Sequence, residues 1–262
     1  MSTPPVRLTA LVTGASRGIG RAIAVQLAAR GCRVAVHFQK NRAAAEATLE
    51  ALPGTGHVPF AADLTDAAEV DRLWSEVTAA VGHVDVLVNN AGIYEPHAPL
   101  ETGHAAWQDA WRRTLAANLV GPANLAHLAA NAMATARGPA DPAHGRGRIV
   151  NISSRGAFRG EPDAPAYGAS KAGLNSLSQS LAKALAPHAV YVFCLAPGWV
   201  ETEMAAGHLA GPDGPEILAQ HPLGRVATAE EIARTAVFCA LDAPAAMTGS
   251  IIDVNGASYL RT

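Results

Sequence analysis

The chain has 262 residues, a length that suits one large α/β domain. A formal net charge of −2 leaves no broad basic surface for nucleic acid, and no apolar run reaches the ~20 residues needed to span a bilayer. Three cysteines and ten histidines show no metal-ligand spacing, which argues against a metal site and suits buried thiols in a reducing cytoplasm.

The opening, Met1 to Pro5, does not read as a secretory leader. Residues 8–12 form a short apolar run that predicts a strand. It ends in the turn Thr13-Gly14-Ala15-Ser16-Arg17-Gly18-Ile19-Gly20, and residues 19–30 then read as a helix with Ile19, Ile23 and Leu27 on one face. Strand, tight glycine turn and helix is the context in which such a turn holds phosphates. Gly14 can take backbone angles closed to other residues, and Gly18 and Gly20 allow close approach of a pyrophosphate and of the next strand. The helix N-terminus offers N–H groups to the phosphates.

A second strand is predicted over 33–38, followed by Gln39-Lys40-Asn41-Arg42. Dinucleotide folds that prefer NAD place an acid near this strand's end, where it takes hydrogen bonds from the ribose hydroxyls. Here that position falls on Phe38, and no carboxylate occurs between Cys32 and Glu46. Arg17, Lys40 and Arg42 offer charge-assisted bonds to a 2′-phosphate, so NADP(H) is expected over NAD(H). The plainer alternative makes Lys40 and Arg42 solvated charges at a helix start.

Further strands are expected near His57, Val84, Arg148, Val190 and Ser250, with helical patterns between most of them. That alternation predicts a doubly wound parallel sheet of about seven strands, with helices on both faces, in a single domain over 1–262. Asp63 follows the third strand and is either a ligand contact or a turn and cap residue. Asn89-Asn90-Ala91-Gly92 follows the fourth, at the carboxyl edge of the sheet where cofactors sit. Asn118 lies within a helical stretch, an unfavourable place for asparagine. The Gly-, Pro- and Ala-rich stretch 136–147 reads as a tolerated surface loop.

Strand 148–152 leads to Ser153 and Ser154, either of which can present a hydroxyl to a substrate oxygen. Tyr167 and Lys171 are four apart, so on a helix they share a face. A free phenol titrates near about 10; a neighbouring ammonium is expected to favour the phenolate and so tune Tyr167 for proton transfer. Residues 203–221 contain Gly207, Gly211, Pro212, Gly214 and Pro215 and predict a mobile lid with helical pieces.

Together, the spacing Gly14-x-x-x-Gly18-x-Gly20, the segment 89–92, Asn118, Ser154, Tyr167-x-x-x-Lys171, Pro197-Gly198 and Thr202 resemble the short-chain dehydrogenase/reductase superfamily, classical type, over essentially the whole chain. The resemblance implies a catalytic set of Asn118, Ser154, Tyr167 and Lys171, the serine being picked by its interval to Tyr167. It implies a cofactor-binding set of Gly14, Ser16, Arg17, Gly18, Ile19, Gly20, Phe38, Lys40, Arg42, Asp63, Leu64, Asn90, Ala91, Gly92, Tyr167, Lys171, Pro197, Gly198, Val200 and Thr202. In that scheme Asp63 bonds the adenine amino group with Leu64 beside the ring. Asn90 locks the central strands, Gly92 gives the cofactor room, and Val200 and Thr202 touch the nicotinamide carboxamide. Asn118 holds a water that connects Lys171 to solvent.

In overall pattern the chain is most similar to the 3-oxoacyl-(acyl carrier protein) reductase-like branch. This implies hydride transfer between NADP(H) and a carbonyl or secondary alcohol. It departs from that branch at His188, where an arginine commonly docks the carrier protein, and at Phe193, where asparagine is common. The first departure weakens the expectation of an acyl carrier protein partner. Other ketone, sugar, steroid or pteridine reductases, and a catalytically silent NADP-binding protein, remain alternatives. The small residues Gly168, Ala169, Ser170, Ala172 and Gly173 permit close helix packing, and the family's habit of pairing this helix implies a homotetramer, with a dimer second.

Overall fold

The computed structural model describes residues 8–136 and 138–261. The opening five residues, and Arg137 of the 136–147 stretch, therefore lie outside the described residues. In chain order the main elements are β1 (Thr9–Val12), α1 (Gly18–Ala29), β2 (Arg33–Phe38), α2 (Arg42–Glu50), β3 (Val58–Ala61), α3 (Ala67–Val81) and β4 (Val86–Asn89). Then follow α4 (His104–Leu115), α5 (Gly121–Ala134), β5 (Gly147–Ile152), α6 (Gly156–Arg159), α7 (Pro165–Leu185) and β6 (Val190–Pro197). The last third holds β7 (Val200–Glu201), α8 (Glu203–Ala210), α9 (Gly214–Ala219), β8 (Ala227–Thr228), α10 (Ala229–Val237) and β9 (Ile251–Val254).

Seven strands pair in the order β3-β2-β1-β4-β5-β6-β9, and every pairing is parallel. Successive strand side chains point to opposite faces. In β1, Ala10 and Val12 enter the core layer under α1 and α10, while Leu11 enters the layer under α3 and α5. In β2, Val34, Val36 and Phe38 join the first layer and Ala35 the second. Helices cover both faces, so β1, β4 and β5 are buried along their whole length; β1 and β4 are largely apolar runs, while β5 also buries Arg148 and Asn151.

The strand order reverses between β1 and β4, and this opens a crevice at the carboxyl ends of the strands. Two details shape it. Between α4 and α5 the chain takes a π-helical turn over Ala116–Val120, and this turn carries Asn118. The two-residue strands β7 and β8 pair Val200 with Ala227 and Glu201 with Thr228, so the expected lid is fastened at both ends and contains α8 and α9. The 136–147 loop runs into the amino end of β5, opposite the crevice. His144 is buried there and its Nε2 donates to the Ala240 carbonyl.

Candidate active site

Loops from the carboxyl ends of β1, β2, β3, β4, β5 and β6 line one cleft of about 740 Å³. Of the residues expected at the site, all but Gly20, Arg42 and Asn118 line it directly.

At the β1 end, Gly14 and Gly18 have φ of 61° and 53°, in the left-handed region that glycine adopts without strain. Gly20 packs inward instead of facing the cleft. A Cβ there would lie 2.3 Å from the Gly14 carbonyl oxygen and 2.5 Å from Asn90 Nδ2. Asn90 Nδ2 donates to Thr13 O (2.9 Å) and Gly14 O (3.3 Å), while Thr13 Oγ1 accepts from Asn90 N and Ala91 N. The loops after β1 and β4 are thus stitched together. Helix α1 has no side-chain cap, its first-turn N–H groups have no intrahelical acceptor, and Gly18 and Ile19 of that turn line the cleft. That is a ready site for a phosphate.

His37 was not singled out from the sequence. It is buried at the end of β2; its Nδ1 accepts from Gly14 N (3.1 Å) and its Nε2 faces Ala62 O (3.1 Å). A peptide N–H only donates and a carbonyl only accepts, so the ring carries its proton on Nε2. Burial pushes its pKa down to about 4, so it is neutral through the physiological range. Its one available signal was a polar side chain in an otherwise apolar strand.

At the far end of the cleft, Phe38 is buried, and Gln39, Lys40 and Asn41 follow it along the lining. Asp63 Oδ1 accepts from Thr65 N (3.0 Å) and Thr65 Oγ1 (2.7 Å). Burial raises its pKa, but these bonds, one from Gln39 and the nearby Lys40 outweigh that and hold it below the usual range. The turn role is therefore present, while Asp66 caps α3. Arg42 does not enter the cleft. Asn41 caps α2, Arg42 starts that helix, and its guanidinium turns along it to Glu46 at 2.8 Å. Arg17 does reach the cleft, where it pairs with Glu203 at the start of α8 (3.2 Å).

The reacting end is built on α7, whose Pro165 stands at the first helical position, where a missing N–H costs nothing. Tyr167 and Lys171 share one face of it. Ser154 lies beside the Tyr167 phenol on the cleft wall and draws its pKa down, and Ser154 Oγ accepts from Gly156 N at 3.0 Å. The neighbouring Ser153 is buried and its hydroxyl donates to Lys171 O (3.2 Å), so Ser154 is the serine turned to the phenol. Lys171 Nζ donates to Ile152 O (2.9 Å) and lies 5.7 Å from the Tyr167 ring centroid.

Here the structure corrects the expected tuning. Burial pushes the Tyr167 phenol up to about 12, against the opposing hydrogen bond from Ser154, and pushes Lys171 down to about 8. Low-dielectric surroundings disfavour both charged forms, and burial is the largest cause of each shift. Tyr167 is accordingly a protonated donor at neutral pH.

Asn118 is fully buried behind this pair. Its Oδ1 accepts from Ile93 N (2.8 Å), and its Nδ2 donates to Ile93 O (2.9 Å) and Ser170 Oγ (3.2 Å). The side chain is fully engaged by these protein groups. Toward the lid, Tyr94 meets Tyr167 edge-on (5.2 Å), His208 meets Tyr94 (5.9 Å), and Trp199 meets His208 (5.4 Å). Arg155 and Arg159 both donate to Gln220 Oε1, and Glu161 beside them is pushed above the usual carboxylate range by burial. Among the described residues no cluster of three or more His, Cys, Asp or Glu is placed to hold a metal, and no helix is long and apolar enough to cross a membrane.

A nucleotide cleft at the switch point of a doubly wound sheet, with a phenol, a lysine and a serine at its inner end, defines a dinucleotide-dependent oxidoreductase. The family model for enoyl-(acyl carrier protein) reductase matches residues 14–257. The chain belongs to the short-chain dehydrogenase/reductase family, whose members act on carbonyl and alcohol groups. It is 37% identical over 254 residues to the 3-oxoacyl-(acyl-carrier-protein) reductase FabG of Staphylococcus aureus, covering 96% of this chain and 98% of that protein. It is equally 37% identical, over 251 residues, to the Escherichia coli FabG, covering 96% and 97%. A crystal structure of a putative short-chain alcohol dehydrogenase from Sinorhizobium meliloti superposes with a TM-score of 0.85 at 35% identity, covering 96% of both chains.

Proposed function

We propose that this protein is an NADP(H)-dependent reductase of a 3-oxoacyl thioester, or of a ketone like it, acting in the cytoplasm as a homotetramer. The observation that carries the reading is the placement of Tyr167, Ser154 and Lys171 together on the wall at the inner end of the cleft, with Lys171 one helical turn from Tyr167. The likeness to the two FabG reductases supports the substrate class. The lack of any carboxylate on the turn after β2, with Lys40 and Arg17 lining that end, supports NADP(H) over NAD(H).

The residues present fit such a cofactor. The uncapped N-terminus of α1 and the glycines at 14 and 18 suit its pyrophosphate, and Asp63 and Leu64 line the region assigned to adenine. Asn90, Ala91, Gly92, Pro197, Gly198, Val200 and Thr202 wall the inner part. When bound, the nicotinamide supplies the hydride for the carbonyl carbon.

The chain's own groups do the rest. Tyr167 keeps its proton until the carbonyl oxygen gains charge, then donates it; such acid catalysis contributes about 10²–10⁴ in rate. Ser154 Oγ orients that oxygen and shares its developing charge. Lys171, drawn toward neutrality by burial, is poised to return a proton toward Tyr167, and Asn118 holds the Ile93 backbone and Ser170 around it. His188 is exposed in the turn after α7 and lacks the permanent charge of arginine, so a small thioester is expected to serve without carrier-protein docking.

The test is oxidation of NADPH, and separately of NADH, against acetoacetyl thioesters, diketones, keto sugars, steroids and dihydropteridines. The reading expects thioester or ketone turnover with NADPH and weaker affinity for NADH. Equal or tighter binding of NADH defeats the cofactor assignment, and activity confined to sugars, steroids or pteridines moves the substrate class. Silence on every carbonyl with NADPH still binding favours a binding protein.

A further inference from the structure

The first turn of α7 carries Tyr167, and its anchoring is unusual. Its N-cap is Ala164, which has no side-chain acceptor. Pro165 has no N–H, and the N–H groups of Tyr167 and Gly168 both turn back to Ala164 O (2.9 and 3.4 Å). The remaining donor, Ala166 N, sits on a residue with no solvent exposure, where an unmet N–H is strongly disfavoured. It donates to His97 Nε2 at 3.1 Å.

His97 comes from the loop after β4, far away in sequence, and it is held on every side. It is buried; its Nδ1 bonds Glu95 O at 2.7 Å, and its own backbone N donates to Asp163 O at 2.6 Å. Its ring meets Trp107 of α4 edge-on at 5.3 Å. Glu95 O only accepts, so the proton is on Nδ1 and Nε2 is left as the acceptor that Ala166 needs. The same loop sets Ile93 against Asn118 and Tyr94 against the Tyr167 ring. The cap, the phenol's ring contact and the Asn118 anchor thus belong to one five-residue stretch, 93–97.

We propose that His97 is a positioning residue for Tyr167: it caps α7 from outside the helix and fixes where the phenol sits against Ser154. The proposal rests on Tyr167 being the proton donor. Acting through Tyr167, it governs the chemical step and leaves cofactor binding alone. Gln has an oxygen at nearly the reach of Nε2 and restores the acceptor; Leu fills the space without one.

The full chain is prepared as wild type, His97→Leu, His97→Gln and Tyr167→Phe. Two readouts are taken: kcat with NADPH and an acetoacetyl thioester, per NADPH-binding site, and hydrogen exchange at the Ala166 amide in the protein alone. His97→Leu is expected to lower kcat by roughly tenfold or more, since small misplacements of a reacting group cost up to about 10²-fold, with NADPH affinity within about twofold. It is also expected to speed Ala166 exchange at least tenfold, while amides of α5 and β5 keep their rates. His97→Gln is expected to recover most of both effects. Unchanged kcat and exchange in His97→Leu overturn the proposal, as does equal impairment in the Gln variant. If His97→Leu does not fold, His97→Gln decides: near-native kcat and exchange support the cap, and loss of both contradicts it. Near-native turnover by Tyr167→Phe instead overturns the proton-donor reading beneath it, a result separate from the His97 measurements.

Discussion

At position 92 one added carbon would touch both groups behind the phenol. A Cβ there would come to 3.1 Å from Asn118 Oδ1 and 3.5 Å from Lys171 Nζ. The first contact is tight and the second ordinary, so the strain is expected to fall on Asn118, which three hydrogen bonds hold in place. Gly92→Ala is predicted to cost about 1 kcal/mol of stability and to lower kcat/KM about tenfold, measured by denaturant unfolding and steady-state kinetics. Native values of both would show that the space beside Gly92 is not used. Ser154 is picked over Ser153 by the family resemblance, and Tyr167 and Lys171 were legible in the sequence through their four-residue helical spacing. The direction of their tuning was not. It depends on burial, which sets Tyr167 up to about 12 and Lys171 down to about 8, and burial is a property of the packed chain. Arg42 was misplaced for a related reason: Glu46, four residues on, competes for the guanidinium along the helix.

Among the elements, β2 shows how a single strand end ties the nucleotide side together. His37 links the glycine turn after β1 to Ala62 after β3, and it does so as a neutral ring. Its folded pKa of about 4 lies below the ordinary 6.5, so between these values the unfolded chain binds the extra proton. Stability therefore rises with pH across that window and is lost as pH falls from about 6.5 toward about 4, by on the order of 3 kcal/mol; above the window it is fully kept and no longer changes with pH. Urea unfolding at pH 7 and pH 4.5 (chosen about half a unit inside the lower limit) should show a steeper acid loss in the wild type than in His37→Gln. Equal losses would contradict it. The seven sheet strands were readable as apolar runs, but β7 and β8 were not, since two residues carry no periodicity. The π-helical turn around Asn118 likewise has no sequence signature of its own. Phe193, out of pattern in the sequence, is buried with the Arg148 guanidinium 5.7 Å from its ring. Arg148 itself read only as the start of a strand, yet it is fully buried and donates to the carbonyls of Ala143, His144 and Cys239. The Cys239 carbonyl, 91 residues away, is an acceptor that cannot be seen in a linear chain.

For the whole molecule, the doubly wound order places every catalytic candidate at one edge and leaves the opposite edge to loops such as 136–147. The outer face of α7 is open. Gly168, Ala169 and Ala172, with Gly156, Pro162 and Pro165, line a shallow groove of about 640 Å³. Ser170 and Gly173, read as part of the same small-residue stripe, serve the interior: Ser170 bonds Tyr167 O and Asn118, and a Cβ on Gly173 would lie 2.9 Å from Leu119. Pairing of α7 between copies is predicted to give a tetramer by sedimentation across a dilution series, with a dimer as its first dissociation product. A monomer at every concentration would contradict that assembly.

The central claim is that Tyr167 delivers the proton. Its most direct test is kcat for Tyr167→Phe beside the wild type, with NADPH affinity measured on the same samples. The substitution removes one hydroxyl and keeps the ring that meets Tyr94. Loss of at least about 10²-fold in kcat with NADPH binding within about twofold is the predicted result. Near-native turnover would contradict the account.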